Sequence, residues 1–234
     1  MMQRTRVKIC GLTRVQDVQA ACALGADAVG FVCFAGSPRF VALDRLAQLA
    51  GALAPLVTPV LLFVDAPVAS VEAALQRVPH ALLQFHGSED AAYCAAFGRP
   101  YLKAVAVREG SDLIEFENRY ASALGLLVDT PAAAGGGVHG GSGQAFDWSR
   151  LPDVAQRRLP LVLAGGLQAG NVAAAVLQVR PTAVDVSSGV EEQDAGTGAV
   201  QRGIKSAARM GSFLAAVRAA DVQMSVQAEH GKAA

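Results

Sequence analysis

Long uninterrupted apolar runs are absent from the 234-residue chain, and this argues against a membrane protein. A transmembrane helix needs about 20 consecutive apolar residues, and no run approaches that length. The basic segment 1–8 is not followed by the apolar core of a secretory signal. An excess of charge of either sign is also lacking, since 20 Lys and Arg balance 20 Asp and Glu. Without a basic run or face, nucleic acid and anionic membranes are poor candidate partners.

Cysteine is scarce, and its spacing excludes two further classes of protein. The four cysteines, Cys10, Cys22, Cys33 and Cys94, form no Cys-x-x-Cys pair and have no His cluster near them. We therefore predict no zinc site and no other metal site. The spacing is also unlike that of a small disulfide-stapled domain, which favours a reducing compartment. We expect a cytoplasmic protein.

Apolar residues, in contrast, make up 52% of the chain and charged residues 17%, as in a protein with a large buried core. Short β-branched runs alternate with Ala- and Leu-rich stretches of helical spacing. The predicted strands are 7–10, 28–32, 60–64, 81–85, 102–105, 125–129, 161–164 and 183–186. The predicted helices are 14–24, 43–53, 68–78, 89–97, 112–121, 148–156, 169–179 and 205–219. Capping signals at Thr13 to Gln16 and at Ser88 support two of the helix starts.

The repeated strand–helix unit predicts a single-domain α/β protein, a (β/α)8 TIM barrel over residues 1–220. An open doubly wound sheet remains an alternative, because periodicity does not reveal closure. The polar residues 221–234 are expected to form a frayed C-terminal tail. Two long glycine-containing segments, 131–145 and 191–203, are predicted as loops that are either functional or flexible insertions.

Two reactive side chains stand at the ends of predicted strands, where a barrel of this type carries its active site. Cys10 ends the first strand, and Asp129 ends the sixth. A cysteine in this position is commonly a small core residue, and a catalytic role would require a thiolate. An acidic side chain at the end of an apolar strand is expected to have either a binding partner or a catalytic role. The non-catalytic alternatives for Asp129 are a helix cap and an ion pair.

Other strand ends carry groups suited to an anion and a carboxylate. The loops after strands seven and eight commonly bind phosphate in this fold, and here they contain Gly165, Gly166, Ser187, Ser188 and Gly189. Arg39 follows a proline and is either a carboxylate ligand or a solvated loop charge. Gln84 and His86 share one face of a strand end and either bind substrate or form a polar rim. Asp185 is expected to orient its neighbours or to bind a hydroxyl.

The ordered set of motifs at these strand ends is similar to that of the phosphoribosylanthranilate isomerase family. The resemblance covers the whole chain except its tail. The matching segments are KICGLT at 8–13, GFV at 30–32, SPR at 37–39, QFHG at 84–87, LVD at 127–129, GGSG at 140–143 with FDW at 146–148, LAGGL at 163–167 with NV at 171–172, and VDVSSGVE at 184–191.

The resemblance implies an Amadori rearrangement of N-(5'-phosphoribosyl)anthranilate in tryptophan biosynthesis. It makes Cys10 the general base, Asp129 the general acid and Arg39 the ligand of the anthranilate carboxylate. The Gly-Gly and Ser-Ser-Gly segments named above become the phosphate loops. Since the reaction involves neither redox change nor phosphoryl transfer, we expect no cofactor. A small phosphosugar substrate is the predicted partner, with no nucleic acid, no membrane and no obligate protein partner.

The sequence departs from the family after strand eight, where GIKS at 203–206 follows a longer insertion and Ser206 replaces an aspartate. This departure puts the start of the last helix in doubt. One rival interpretation is the related isomerase of histidine synthesis, which pairs two aspartates, and Cys10 argues against it. Others are a barrel that binds a phosphosugar without turnover and an open nucleotide-binding sheet.

Overall fold

The structure is a computed structural model that describes residues 4–106, 110–129 and 147–230. Eight parallel strands form a closed barrel in chain order. They are β1 (Arg6–Cys10), β2 (Ala28–Val32), β3 (Thr58–Phe63), β4 (Leu82–Phe85), β5 (Tyr101–Ala106), β6 (Gly125–Asp129), β7 (Leu161–Leu163) and β8 (Ala183–Val186). On β1, Lys8 lies opposite Ala28 of β2 and opposite Asp185 of β8. The predicted barrel is therefore confirmed, and the open sheet is excluded.

Seven α-helices occur in the described residues and surround the barrel. They are α1 (Val15–Leu24), α2 (Leu43–Ala50), α3 (Val68–Arg77), α4 (Ala91–Ala95), α5 (Gly110–Arg119), α6 (Val172–Val179) and α7 (Ala207–His230). Within this part of the chain, none of them is long and apolar enough to cross a membrane.

The helix predicted over 148–156 is wrong. Two short 3-10 turns, Trp148–Arg150 and Val154–Gln156, occupy this segment instead. Between them lies Pro152, which has no N–H to donate and disfavours helical geometry in the preceding residue. Leu151 accordingly has an extended backbone, with φ −80° and ψ 140°.

The predicted end of the last helix near Ala219 is also wrong, because α7 continues to His230. Two contacts hold this extension against the barrel. The Asp221 carboxylate accepts hydrogen bonds from the amide and the hydroxyl of Thr5, and Met224 is buried in the core. Residues 221–230 are therefore helical rather than frayed, while residues 231–234 lie outside the described residues.

The helix starts differ from the capping predictions because other partners compete for the side chains. The Thr13 hydroxyl donates to the Gly203 carbonyl at 2.7 Å, and α1 has no side-chain cap. Asp90, rather than Ser88, caps α4 by accepting from the Tyr93 amide. At α7, the Ser206 carbonyl accepts from the Met210 amide, so the helix begins normally at Ala207 despite the replacement of the family's aspartate.

The predicted loop 191–203 is largely an antiparallel hairpin of β9 (Glu191–Gln193) and β10 (Val200–Lys205). Its turn is organised by Asp194, whose carboxylate accepts hydrogen bonds from the amides of Gly196 and Thr197. Such side-chain-to-backbone bonds are a common way to stabilise a turn. The other predicted loop, 131–145, lies outside the described residues.

The barrel separates two buried layers. On β1, Val7 and Ile9 join the large apolar cluster formed with the helices, whereas Cys10 belongs to a small cluster with Val32 and Leu62. Because side chains alternate along a strand, Lys8 shares the inner face with Cys10. This alternation brings polar residues of β1 into the barrel interior.

Candidate active site

A cavity of about 200 Å³ opens at the C-terminal ends of the strands. Nine of the eleven predicted site residues line it: Cys10, Arg39, His86, Asp129, Gly165, Gly166, Asp185, Ser187 and Ser188. The other two, Gln84 and Gly189, do not line the cavity. Most of the predicted site residues therefore lie on the cavity wall, and the structure adds three buried charged residues that the sequence analysis did not assign to the site, Lys8, Glu191 and Lys205.

Cys10 lies at the base of the cavity and is only 5% exposed. Burial raises the pKa of its thiol, because the charged thiolate is poorly solvated there. The Lys8 ammonium opposes this effect and lowers the pKa, whereas the Asp185 carboxylate raises it further. The pKa of the Cys10 thiol therefore depends on its burial and on the opposing charges of Lys8 and Asp185.

Lys8 and Asp185 form an ion pair across β1 and β8. The Lys8 Nζ lies 2.8 Å from the Asp185 Oδ1, and the two side chains are 5% and 9% exposed. Burial would lower the pKa of Lys8, but Asp185 and the nearby Cys10 outweigh it and raise the pKa to about 12. Lys8 was not among the predicted site residues. A lysine two residues before Cys10 in an apolar strand could have indicated it, because the two side chains share one face of the strand.

Asp129 sits beside His86 on the cavity wall. The His86 Nε2 is 3.3 Å from the Asp129 Oδ2, and the Gln84 amide nitrogen is 3.1 Å from the His86 Nδ1. If the amide nitrogen donates, Nδ1 must accept, which assigns the ring proton to Nε2, facing Asp129. Gln84 is fully buried beneath the histidine, so its predicted role as a direct substrate ligand is replaced by contact with His86.

Arg39 lines the cavity, but one edge of its guanidinium is already engaged. Its Nε and Nη2 donate to the two carboxylate oxygens of Glu191 at 2.6 and 2.8 Å. Glu191 also accepts from the Gly203 amide at 2.8 Å and lies 3.1 Å from the Lys205 Nζ. A ligand carboxylate could therefore meet Arg39 only along its other edge, Nη1 and Nη2.

The charges around Glu191 act on each other's protonation. Burial would raise the pKa of Glu191, but hydrogen bonds from Arg39 and Gly203 and the charge of Lys205 lower it below its usual value. Burial lowers the pKa of Lys205, and the positive charge of Arg39 lowers it further, against the attraction of Glu191. The network ties the hairpin of β9 and β10 to the rim of the cavity.

The loop after β7 brings two bare backbone amides to the cavity wall. Gly165 and Gly166 have φ values of +81° and +62°, in the region that favours glycine. Asn171 fixes this loop, because its side chain donates to the Gly166 carbonyl and accepts from the Gln168 amide. The neighbouring loop is held by Lys205, whose Nζ donates to the Ser187 carbonyl at 3.0 Å.

Gly189 packs closely against the loop that follows β7, and its predicted contact with phosphate stays a prediction. A Cβ placed on it would lie 2.0 Å from the Leu167 carbonyl oxygen. Only glycine permits this close approach of the loops that follow β7 and β8. Gly189 thereby sets the distance between the two loops that line one side of the cavity.

Residues 7–212 match a family model described as N-(5'phosphoribosyl)anthranilate (PRA) isomerase. The chain belongs to the PRA isomerase family. A relative named N-(5'-phosphoribosyl)anthranilate isomerase from Dechloromonas aromatica is 50% identical over 93% of this chain and 98% of its own. One with the same name from Leptothrix cholodnii is 49% identical over 97% of each chain.

Solved structures of PRA isomerases share the fold. The phosphoribosyl anthranilate isomerase of Thermus thermophilus is 32% identical, with a TM-score of 0.78 over 92% of this chain and 99% of its own. Another is a complex with reduced 1-(o-carboxyphenylamino)-1-deoxyribulose 5-phosphate, 30% identical, with a TM-score of 0.71 over the same shares of the two chains. In the described part of this PRA isomerase family member, no group of three or more His, Cys, Asp or Glu could hold a metal ion.

Proposed function

We propose that the chain catalyses the Amadori rearrangement of N-(5'-phosphoribosyl)anthranilate to 1-(2-carboxyphenylamino)-1-deoxyribulose 5-phosphate in tryptophan biosynthesis. The observation that carries the proposal is a family match over residues 7–212 together with a cavity that holds both an acid and a thiol. The isomerase solved with a reduced carboxyphenylamino-deoxyribulose phosphate supports the same substrate class here.

Asp129 acts as the general acid in this mechanism. Its carboxyl group gives a proton to the ring oxygen of the furanose, the bond from that oxygen to the anomeric carbon breaks, and an iminium ion forms. Support comes from its place at the end of β6 on the cavity wall and from His86 at 3.3 Å, which orients the carboxyl. A positioned proton transfer of this kind contributes about 100- to 10,000-fold in rate.

Cys10 acts as the general base in the next step. Its thiolate removes the proton from the sugar carbon beside the former anomeric carbon, and the electron pair neutralises the iminium to give an enolamine. The former anomeric carbon then gains a proton while the hydroxyl on the neighbouring sugar carbon loses one, and the neutral amino ketone forms. Atoms and charge balance over the sequence, so no oxidant, reductant or cofactor is required.

Two anchors hold the ends of the substrate. The phosphate binds to the amides and hydroxyls of Gly165, Gly166, Ser187 and Ser188, which line one side of the cavity. The anthranilate carboxylate binds to the outer edge of Arg39, while Glu191 holds the inner edge. Asp185 and His86 complete the wall between the anchors.

The test is a turnover assay with substrate generated in situ, followed through the loss of its anthranilate-type fluorescence. Wild type is compared with Cys10→Ser and Asp129→Asn, each checked for folding by circular dichroism. We expect fast loss with wild type and a fall in kcat of at least about 100-fold in each variant, the lower end for a general acid or base. A folded wild type without turnover would refute the function, and near wild-type kcat in one variant would remove that residue from its role.

A cytoplasmic location and independence from an obligate protein partner, nucleic acid or membrane belong to the same proposal. They rest on the balanced charge, the cysteine spacing and the absence of long apolar runs in the sequence.

A further inference from the structure

A lysine in the interior of the barrel calls for an explanation. Interior positions of this fold are filled mainly by bulky branched apolar side chains, as they are here by Leu102, Leu127 and Val162. Lys8, on the inner face of β1, is 4% exposed, and Asp185 accepts its hydrogen bond at 2.8 Å. A buried ion pair is weak evidence for stability, because removing two charges from water offsets their attraction. The pair therefore points to a role in the chemistry of the cavity.

The ammonium lies next to the sulfur of Cys10. Lys8 and Cys10 are two residues apart on β1 and share its inner face. Gly30, the partner of Cys10 on β2, has no side chain to separate them. A Cβ placed on Gly30 would lie 2.7 Å from the Cys10 Sγ and 3.1 Å from the Lys8 Nζ. Sulfur and nitrogen thus both border the space that this glycine leaves open.

We infer that Lys8 is a positioning residue that stabilises the thiolate of Cys10, that Asp185 holds its ammonium in place, and that Gly30 keeps the two side chains together. The inference rests on the proposed function, in which Cys10 is the base. A neighbouring cation favours the charged form of a thiol, whereas burial disfavours it. Lys8 keeps its proton throughout, and the proton taken from the sugar goes to the sulfur.

Other charges in the cavity set the expected direction of each substitution. The titratable and charged side chains around the sulfur are Lys8 on the same strand, Asp185 on β8 and Lys205 on β10, with Arg39, His86 and Asp129 on the wall of the same cavity. Lys8 and Lys205 favour the thiolate, and Asp185 opposes it. Removing the charge of Lys8 and removing that of Asp185 should therefore shift the ionisation of Cys10 in opposite directions.

The primary test measures the rate at which iodoacetamide alkylates Cys10 as a function of pH, without substrate. Mass spectrometry of the peptides separates Cys10 from the other three cysteines. We expect Lys8→Met to move the midpoint upward by at least about one pH unit, which is about a tenfold lower rate at neutral pH. Asp185→Asn, whose amide oxygen still accepts from Lys8, should move the midpoint downward, and Lys8→Arg should restore most of the wild-type behaviour.

Lys8→Met and Asp185→Asn are expected to shift the alkylation midpoint in opposite directions, so the test remains decisive even if one variant folds poorly. A purely structural ion pair predicts equal midpoints in wild type, Lys8→Met and Asp185→Asn, and that result would overturn the inference. If Lys8→Met does not fold, an unchanged or raised midpoint in Asp185→Asn alone overturns it. Because alkylation needs no substrate, this outcome is independent of the turnover assay that tests the proposed function.

Gly30→Ala tests the geometry without changing any charge. The added methyl group separates sulfur from nitrogen, so we expect kcat to fall at least about tenfold while KM stays within about twofold, since only a transition-state interaction is lost. Gly170→Ala is the matched control, because a Cβ at Gly170 meets nothing within 4 Å. Equal kcat values in the two variants would remove Gly30 from the inference.

Discussion

Replacing Glu191 by glutamine should strongly destabilise the protein, although the residue lies outside the cavity wall. Its carboxylate is fully buried and faces two cations, Arg39 and Lys205. The amide of glutamine can keep one or two hydrogen bonds but not the charge. Breaking a buried ion pair by removing one partner costs about 3–5 kcal/mol, because the remaining charge is left uncompensated. We therefore expect a loss of that size in the free energy of unfolding.

The loss is measured by urea and thermal unfolding, followed by circular dichroism and by the fluorescence of Trp148, the only tryptophan in the chain. For a chain of 150–250 residues, each 1 kcal/mol shifts Tm by about 2–4 °C, so a fall on the order of 10 °C is expected. Glu192→Gln is the matched control, since it removes the same charge from the next, partly exposed position of β9. Equal destabilisation by the two substitutions would refute the reasoning.

The same substitution has a defined dependence on pH. The pKa of Glu191 is lowered in the folded state, so its charge contributes stability that is present above the unfolded value of about 4.3. That contribution is lost as the pH falls through the lower folded value. The difference in unfolding free energy between wild type and Glu191→Gln should therefore be constant near neutral pH and shrink below about pH 4. A difference that grows on acidification would contradict this linkage.

Three further substitutions test the cavity. Arg39→Ala should raise KM about 10- to 150-fold through the loss of a charged hydrogen bond worth about 1.5–3 kcal/mol, and an unchanged KM would remove it from the carboxylate site. Gln84→Leu should lower kcat about fivefold with KM unchanged, since His86 loses a hydrogen bond of about 1 kcal/mol; steady-state kinetics with equal kcat values would contradict this. Gly189→Ala should cost about 1–3 kcal/mol in urea unfolding by forcing apart the loops that it joins, and a neutral result would show that they adjust.

The barrel could be predicted because its signal is local. Every strand lies within three residues of its predicted start, since buried parallel strands appear as short apolar runs whatever their partners. The predicted helix bounds were wrong where another interaction overrode the local sequence pattern. Pro152 broke an otherwise helical stretch, and contacts of Asp221 and Met224 extended the last helix beyond its amphipathic part.

The ion pairs of the site could not be predicted in the same way. Arg39 and Glu191 are 152 residues apart, and Lys8 and Asp185 are 177 apart. Their meeting depends on the register of closure between β1 and β8, which no single segment encodes. A shift of one residue in that register would turn Asp185 away from Lys8. Motif resemblance located the cavity wall, but the partners of its charges required the three-dimensional structure.

The closure of β1 against β8 has a consequence for the order in which the protein matures on the ribosome. Until residues 183–186 have emerged, β1 is an open sheet edge, and Lys8 lacks its counter-ion. The contacts of Glu191 with Arg39 and with Lys205 form later still, because Glu191 and Lys205 belong to the hairpin after the last barrel strand. Contacts between such distant segments form slowly during folding. The first strand of the barrel thus closes only against the eighth, and Cys10 and Arg39 reach their final surroundings only after β8 and the hairpin that follows it have been made.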